Sequence, residues 1–572
     1  MRRVTYLYCG VAMAVGLAGA AGAQAGTSET QADAQCKALA SGLPGLTIEQ
    51  AAYHGEGQAT ITPGNPMGPP GKLIPLPAHC EVIASLQPHT GIDGQSYAIR
   101  LHLRLPLHWN DRFYFQGGGG TDGDLGDATG RMGATSALAQ GYAVLSQDSG
   151  HDNAKNTRPD HNGASAFGFD PQARLDYGRA ALKATADAAR QLIVRYYGLK
   201  PRYAYFVGCS KGGQEGMALA QDYPDEFDGI IAAAPGFSLP RAAVAEAWDT
   251  QAFGAVVTPA GQTFNPMALY KSFSATDMAL VRGAVLAACD KDDGLEDGMV
   301  SDFKACTSAK VVPQLRAITC AGDKTDQCLS NAQVTALIRS HDGARDTAGH
   351  ALYATWPWSA GVSAEDWRIW KIGSSNGQVP PLNVILGGGA LSAIFTTPPT
   401  ALAADPMTLG QYLWAFDFDR DAARIYATGG DFKTSAWSDI GARSPDLSGF
   451  KQRHGKLIVP QGTSDPVFSI DDTIAWYDEV ESRNQGHAAD FVRLFPVPDM
   501  GHCGGGVATD QYDAFTALTD WVEHGKAPDE IEASAGPATP WPNRKRPLCA
   551  YPKVARYKGG NPDDANSFKC EI

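Results

Sequence analysis

The sequence predicts an α/β fold with one large insertion, and three observations carry that prediction. Tyr203-Ala204-Tyr205-Phe206-Val207 is a short aromatic and β-branched run. It passes through the turn Gly208-Cys209-Ser210-Lys211-Gly212-Gly213 into a segment of good helix formers, Gln214 to Gln221. Further apolar runs of strand length, each followed by a helix-period segment, flank this unit on both sides, as in a parallel sheet covered by helices. Between about Phe237 and Phe450 the alternation stops, and it resumes at Lys456.

Taken in order, the chain opens with Arg2 and Arg3, an apolar run from Val11 to Ala20, and Ala23-Gln24-Ala25, the three parts of a secretory signal peptide. The expected leader is residues 1–25 and the mature chain starts at Gly26. Arg112 to Phe115 reads as a strand leading into Gln116-Gly117-Gly118-Gly119-Gly120-Thr121, and Arg174 to Tyr197 carries apolar residues at helical spacing. Gly229 to Ala234 is the next buried strand. The segment that follows carries Trp248, Trp356, Trp358, Trp367, Trp370, Trp414 and Trp437, four cysteines, and Gly- and Pro-rich connections, so residues 237–450 are expected to form one inserted lid domain. The α/β pattern then returns with the strand Lys456 to Pro460, the helix Asp472 to Asn484, the strand Phe491 to Pro496 and the helix Asp510 to Gly525. The core is therefore assigned to residues 26–236 and 451–572.

A net charge of −14 with 19% charged residues argues against nucleic acid or an anionic membrane as partner, since both need concentrated Lys and Arg. No segment after the leader supplies the roughly 20 apolar residues of a membrane span. Apart from Cys9, the cysteines are Cys36, Cys80, Cys209, Cys289, Cys306, Cys320, Cys328, Cys503, Cys549 and Cys570. An even number behind a leader, without ligand-spaced pairs for zinc, predicts a disulfide framework and a secreted or periplasmic protein. Chain neighbours are the first expectation for Cys289–Cys306, Cys320–Cys328 and Cys549–Cys570.

Gly208-Cys209-Ser210-Lys211-Gly212 fits G-x-S-x-G, which places a serine on a sharp strand-to-helix turn. Serine is a weak nucleophile at its own pKa and needs a general base, and the base needs a carboxylate to fix its tautomer. In an α/β-hydrolase core these follow in the order Ser, Asp, His. Asp465 stands in the loop after the strand ending at Pro460, and His502 in the glycine-rich loop after the strand ending near Pro496. Asp471, Asp472 and Asp499 compete with Asp465 but lie nearer to helix starts or beside the histidine loop. His151, His487 and His524 read as surface or capping residues. Donors for a tetrahedral oxyanion are commonly the amide after the nucleophile, here Lys211, and one from an earlier loop, here the four-glycine turn.

Cys209-Ser210, Asp465 and His502-Cys503 resemble the CS-D-HC motif of the tannase and feruloyl esterase family. Gly150-His151-Asp152-Asn153-Ala154, Phe169 to Asp176, and Arg546-Pro547-Leu548-Cys549 extend the likeness over the whole mature chain. The resemblance implies a Cys209–Cys503 disulfide, which would close a loop of nearly three hundred residues and be worth roughly 5 kcal/mol at most in a chain-entropy account. It points to Gly120 N–H as the second oxyanion donor. It also implies Trp370 and Phe395 from the lid, and Phe468 from the loop after Asp465, as walls of an aromatic acyl pocket. Members acting on terephthalate monoesters carry an arginine for the free carboxylate where this chain has Leu382 in Pro380-Pro381-Leu382-Asn383.

Asp290-Lys291-Asp292-Asp293-Gly294-Leu295-Glu296-Asp297 packs five acids into eight positions. Oxygen-rich side chains with glycines suit calcium, although the spacing is not that of an EF-hand, and a solvated acidic turn is the competing reading. The family resemblance implies a structural calcium site in the lid, held by the carboxylates of Asp290, Asp293 and Asp297 and the carbonyls of Leu295 and Met299. The resulting expectation is a serine esterase that cleaves small aromatic carboxylic esters through an acyl-enzyme, with feruloyl, hydroxycinnamoyl or galloyl esters ahead of terephthalate monoesters. A silent carbohydrate- or polyphenol-binding protein on the same scaffold is the non-enzymatic alternative.

Overall fold

The structure is a computed structural model that describes residues 28–61, 72–130 and 136–572. The expected leader, with Cys9, lies outside them. Nine strands form one sheet: β1 (Leu46–His54), β2 (His79–Thr90), β3 (Ser96–Pro106), β4 (Arg112–Gln116), β5 (Ala143–Gln147), β6 (Tyr203–Cys209), β7 (Gly229–Ala233), β8 (Lys456–Gly462) and β9 (Val492–Val497). Their order across the sheet is β1-β2-β3-β5-β4-β6-β7-β8-β9. The first three joints are antiparallel and the remaining five parallel.

The parallel strands β4 to β9 read as nearly unbroken apolar runs because both faces of the sheet are covered there, whereas β1 to β3 alternate with polar residues. Alternate residues enter opposite cores. Phe113, Phe115, Phe206, Ile230, Leu457 and Val459 pack on one side. Tyr114, Tyr205, Val207, Ile231, Ile458 and Phe495 pack on the other. Helix α1 (Ala181–Tyr197) lays Leu182, Ala186, Ala189 and Ile193 on the first side, and α2 (Lys211–Asp222) adds Met217 and Leu219 there. The helix Ala514–His524 closes the second side with Leu518 and Trp521.

Two helices depart from their sequence expectations. The segment from Arg174 is helical throughout, as expected, but not a regular α-helix, because a π-turn at Asp176–Ala180 leads straight into α1. At this turn the backbone of Asp439 abuts Gly178, a position where a side chain would collide. The helix expected from Asp510 begins at Ala514, where the Asp513 carboxylate accepts Thr516 N–H at 2.9 Å, while Gln511–Tyr512 pairs with a neighbouring strand.

Between β7 and β8 the chain adds no strand to this sheet. It forms helices, including α3 (Leu239–Val257), Ala275–Cys289, Asn331–His341, Glu365–Lys371 and Pro406–Trp414. Its tryptophans serve mainly as core: Trp358 is buried and stacks on His341 at 3.7 Å, and Trp248 meets Phe418 edge-on. Five disulfides are formed, Cys36–Cys80, Cys209–Cys503, Cys289–Cys306, Cys320–Cys328 and Cys549–Cys570. No described helix is long and apolar enough to cross a membrane.

Candidate active site

Ser210 lies between β6 and α2 with φ +65° and ψ −119°, a strained backbone for a residue with a side chain. The turn holds it there from both sides. Ser210 N–H donates to Ala233 O at 3.1 Å, and Gly236 N–H donates to Ser210 O at 3.0 Å. Gly208 must lack a side chain, since a Cβ there would stand 2.7 Å from Gly212 Cα.

His502 Nε2 is 2.8 Å from Ser210 Oγ, and His502 Nδ1 is 2.9 Å from Asp465 Oδ2. With the proton on Nδ1, the imidazole donates to Asp465 and accepts from the serine hydroxyl. Asp465 is buried, and its other oxygen accepts Val467 N–H at 2.8 Å and Phe468 N–H at 3.1 Å, so the carboxylate is fixed before the histidine engages it. The three competing acids are committed elsewhere. Asp471 accepts from Thr355 Oγ1 at 2.7 Å, and Asp472 pairs with Arg443 at 2.7 Å. Asp499 is wholly buried and accepts Val300 N–H, Ala360 N–H and the Ser359 hydroxyl, which fastens the histidine loop to the inserted segment.

Gly120, at φ +62°, stands in the loop after β4. Its two predecessors spend their amides on carboxylates: Gly118 N–H donates to Glu215 Oε2 at 2.9 Å and Gly119 N–H to Asp122 Oδ1 at 2.7 Å. Gly120 N–H meets no protein acceptor among the described residues. Lys211 is the first residue of α2, where the amide has no intrahelical acceptor.

Trp370 and Phe468 both meet the His502 ring edge-on, with centroids 5.5 Å and 5.3 Å away. Phe395 is buried in the core just after the short helix Gly388–Ala393, and Leu382 is half-buried ahead of the π-turn Asn383–Gly387. Neither joins the triad directly.

Three groups near this centre escaped the sequence. Asp366, four residues before Trp370, presses its carboxyl against Gly501; its Oδ2 has no protein partner, and burial pushes it up to about 6. Asp122 and Glu215 are buried around the Lys211 ammonium. His151 is a correction: it is neither a surface nor a capping residue but 1% exposed, stacked on Phe167 at 3.8 Å and held neutral by burial, its pKa down at about 4. His487 and His524 are exposed.

In the acidic turn, Asp290 accepts Asp297 N–H at 3.0 Å and Gly298 N–H at 3.0–3.1 Å, and Asp293 Oδ1 accepts Leu295 N–H at 3.0 Å. Asp293 Oδ2 is buried without a partner. Asp297 instead turns one oxygen to Arg546 and Arg544. Among the described residues no three carboxylate, histidine or cysteine side chains converge as a ligand group.

The sequence profile of the family described as "Tannase and feruloyl esterase" matches residues 80–571. A mono(2-hydroxyethyl) terephthalate hydrolase of Piscinibacter sakaiensis is 40% identical over 94% of this chain and 91% of its own. A protein of Arthroderma benhamiae named "Probable feruloyl esterase" is 30% identical over 86% of this chain and 85% of its own. The fold is that of feruloyl esterase B from Aspergillus oryzae, at TM-score 0.73 and 20% identity, covering 94% of this chain and 100% of that one.

Proposed function

This chain belongs to the tannase and feruloyl esterase family and is a carboxylic ester hydrolase; from that premise we propose that it cleaves esters of aromatic carboxylic acids through an acyl-enzyme on Ser210. The observation that carries the proposal is the unbroken relay from Asp465 through His502 to Ser210, at 2.9 and 2.8 Å. His502 Nε2 takes the hydroxyl proton as Ser210 Oγ bonds to the ester carbonyl carbon, and the carbonyl oxygen becomes an oxyanion. Gly120 N–H and Lys211 N–H receive that charge. The tetrahedral adduct collapses with cleavage of the carbon–oxygen bond to the leaving alcohol, which takes the proton from His502. Water then repeats the sequence on the acyl-enzyme, His502 removing its proton and returning it to Ser210 Oγ as the acid departs.

Trp370 and Phe468 beside the imidazole support an aromatic acyl group, and Phe395 and Leu382 are assigned to the farther wall. A leucine offers no charge-assisted contact to a second carboxylate, which favours hydroxycinnamoyl or galloyl esters over a terephthalate monoester. The identity to the terephthalate monoester hydrolase keeps that substrate as the second reading. Comparing kcat/KM for methyl ferulate, methyl gallate and mono(2-hydroxyethyl) terephthalate decides between them. One of the first two should exceed the third by at least about tenfold, which is the scale of one good charged contact forgone; a preference for the terephthalate monoester would reverse the assignment.

A structural calcium ion in the acidic turn belongs to the same proposal. The unpartnered Asp293 Oδ2 supports it, since a cation would satisfy a buried oxygen that makes no well-formed hydrogen bond, the Ser301 hydroxyl standing near the same carboxyl. Asp290 and the carbonyls of Leu295 and Met299 would complete the site, together with Asp297 through whichever oxygen its arginines leave free. Export from the cytoplasm is likewise proposed, supported by five disulfides that a reducing compartment would not maintain.

A further inference from the structure

We propose that the Lys211 side chain is a positioning group for the oxyanion loop, acting through the buried carboxylates of Asp122 and Glu215. The inference rests on reading Gly120 N–H and Lys211 N–H as the oxyanion donors. Lys211, Asp122 and Glu215 are 1%, 6% and 0% exposed. Lys211 Nζ lies 3.1 Å from Asp122 Oδ2 and 3.1 Å from Glu215 Oε1.

The remaining oxygen of each acid reaches forward into the glycine loop. Asp122 Oδ1 takes Gly119 N–H, and Glu215 Oε2 takes Gly118 N–H. Ser149 Oγ donates to Asp122 Oδ2 at 2.7 Å, and Gln147 Nε2 donates to Glu215 Oε1 at 3.2 Å, so the anions are also held from behind. The ammonium sits over the Tyr177 ring at 4.5 Å, and the Tyr177 hydroxyl donates to Gly120 O at 3.2 Å. Three successive glycines are thereby pinned by one cluster, at Gly118 N–H, Gly119 N–H and Gly120 O. The next unspent donor is Gly120 N–H.

Burying one cation with two anions is costly, and well-packed apolar residues of similar volume commonly stabilise a fold as well or better. Stability is therefore a poor reason for this cluster, whereas orientation is a good one. One residue supplies a donor from its main chain and, through its side chain, anchors the loop that supplies the other. Without the ammonium, two carboxylates face each other out of water. One must then take up a proton or move; a proton weakens that acid's hold on its glycine amide from a charge-assisted bond to a neutral one, and a movement displaces the amide.

The test uses the full-length enzyme with a nitrophenyl aryl ester, an aryl boronic acid that forms a tetrahedral adduct on serine, and the matching aryl carboxylic acid. Lys211→Met keeps the main-chain donor. It should lower kcat about ten- to a hundred-fold, less than outright loss of an oxyanion donor. KM should stay within about threefold, and boronate affinity should fall in step with kcat/KM while carboxylic acid affinity holds. A folded Lys211→Met enzyme with wild-type kcat overturns the proposal. Should that variant fail to fold, Ser149→Ala removes one hydroxyl from Asp122 without touching a charge; kcat lowered severalfold at constant KM supports the proposal, and wild-type kcat overturns it. If the wild-type enzyme binds the boronate no more tightly than the carboxylic acid, the oxyanion reading itself falls, whatever Lys211→Met does.

Discussion

Cys209 and Cys503 are bonded to each other, and each is the chain neighbour of one partner in the 2.8 Å contact between Ser210 and His502. The bond spans 294 positions and ties the turn after β6 to the loop after β9. Both residues beside the bond's ends have left-handed backbone, Ser210 and Cys503 itself; Cys209 ends β6, whereas Cys503 lies in an irregular loop that no strand or helix holds. Replacing both cysteines by alanine should therefore lower kcat more than it alters the far-ultraviolet circular dichroism. Equal kcat in variant and wild type would remove this role from the bridge.

Asp465 and Asp499 flank the same histidine loop with different partners, which separates their expected phenotypes. Asp465→Asn should cost about 10²- to 10⁴-fold in kcat with little change in Tm, since it spoils the tautomer of His502 and leaves the loop in place. Asp499→Asn should lower Tm, because Asp499 accepts two amides and a hydroxyl from the inserted segment. Wild-type turnover in Asp465→Asn would show that another acid orients the histidine.

Glu246 gives a pH dependence of stability. Burial, reinforced by Asp249 and opposed by Lys371, raises its carboxyl to about 8, whereas an unfolded glutamate titrates near 4.5. The native protein therefore binds more protons between those values, and this group's contribution to stability declines as pH rises from about 4.5 to 8. Glu246→Gln, a neutral residue of the same shape, should raise Tm at pH 9 and change it little at pH 4. Thermal melts of both proteins from pH 4 to 9 check this, and parallel curves would contradict it.

Chelation should lower Tm without altering the kinetics of the fraction still folded, because a ligand bound only by the native state stabilises it by mass action. The acidic turn is joined to the C-terminal segment through Arg546 and Arg544, and it reaches the histidine loop only through Val300 N–H on Asp499, not through a triad side chain. An unchanged Tm after verified metal removal would make the run a solvated turn with an awkwardly buried Asp293.

What was legible in the sequence follows from how local each signal is. Ser210, Asp465 and His502 each stand directly after an apolar run of strand length, so strand ends and loop composition locate them without any long-range contact. The parallel strands announce themselves because both faces are buried. β1, β2 and β3 carry no such signal: β2, for example, mixes Glu81, Ser85, Gln87 and His89 into its run, and only antiparallel pairing reveals it. The Lys211 cluster was invisible for a different reason. Asp122, Gln147, Ser149, Tyr177 and Glu215 are scattered over more than ninety positions and acquire meaning only when the sheet assembles them. The burial of His151 against Phe167 depends on the fold around it, and a lone histidine in a polar stretch has no periodicity that would show it.

The central claim is that Ser210 forms an acyl-enzyme with an aromatic acid, and rapid mixing with a nitrophenyl aryl ester tests it most directly. If release of the alcohol outpaces hydrolysis of the acyl group, one equivalent of nitrophenol appears per active site before the steady rate, and mass spectrometry of the quenched protein finds the aryl acyl group on the peptide containing Ser210. Ser210→Ala should show neither. A labelled peptide elsewhere, or a Ser210→Ala enzyme that still turns over the ester, would contradict the account.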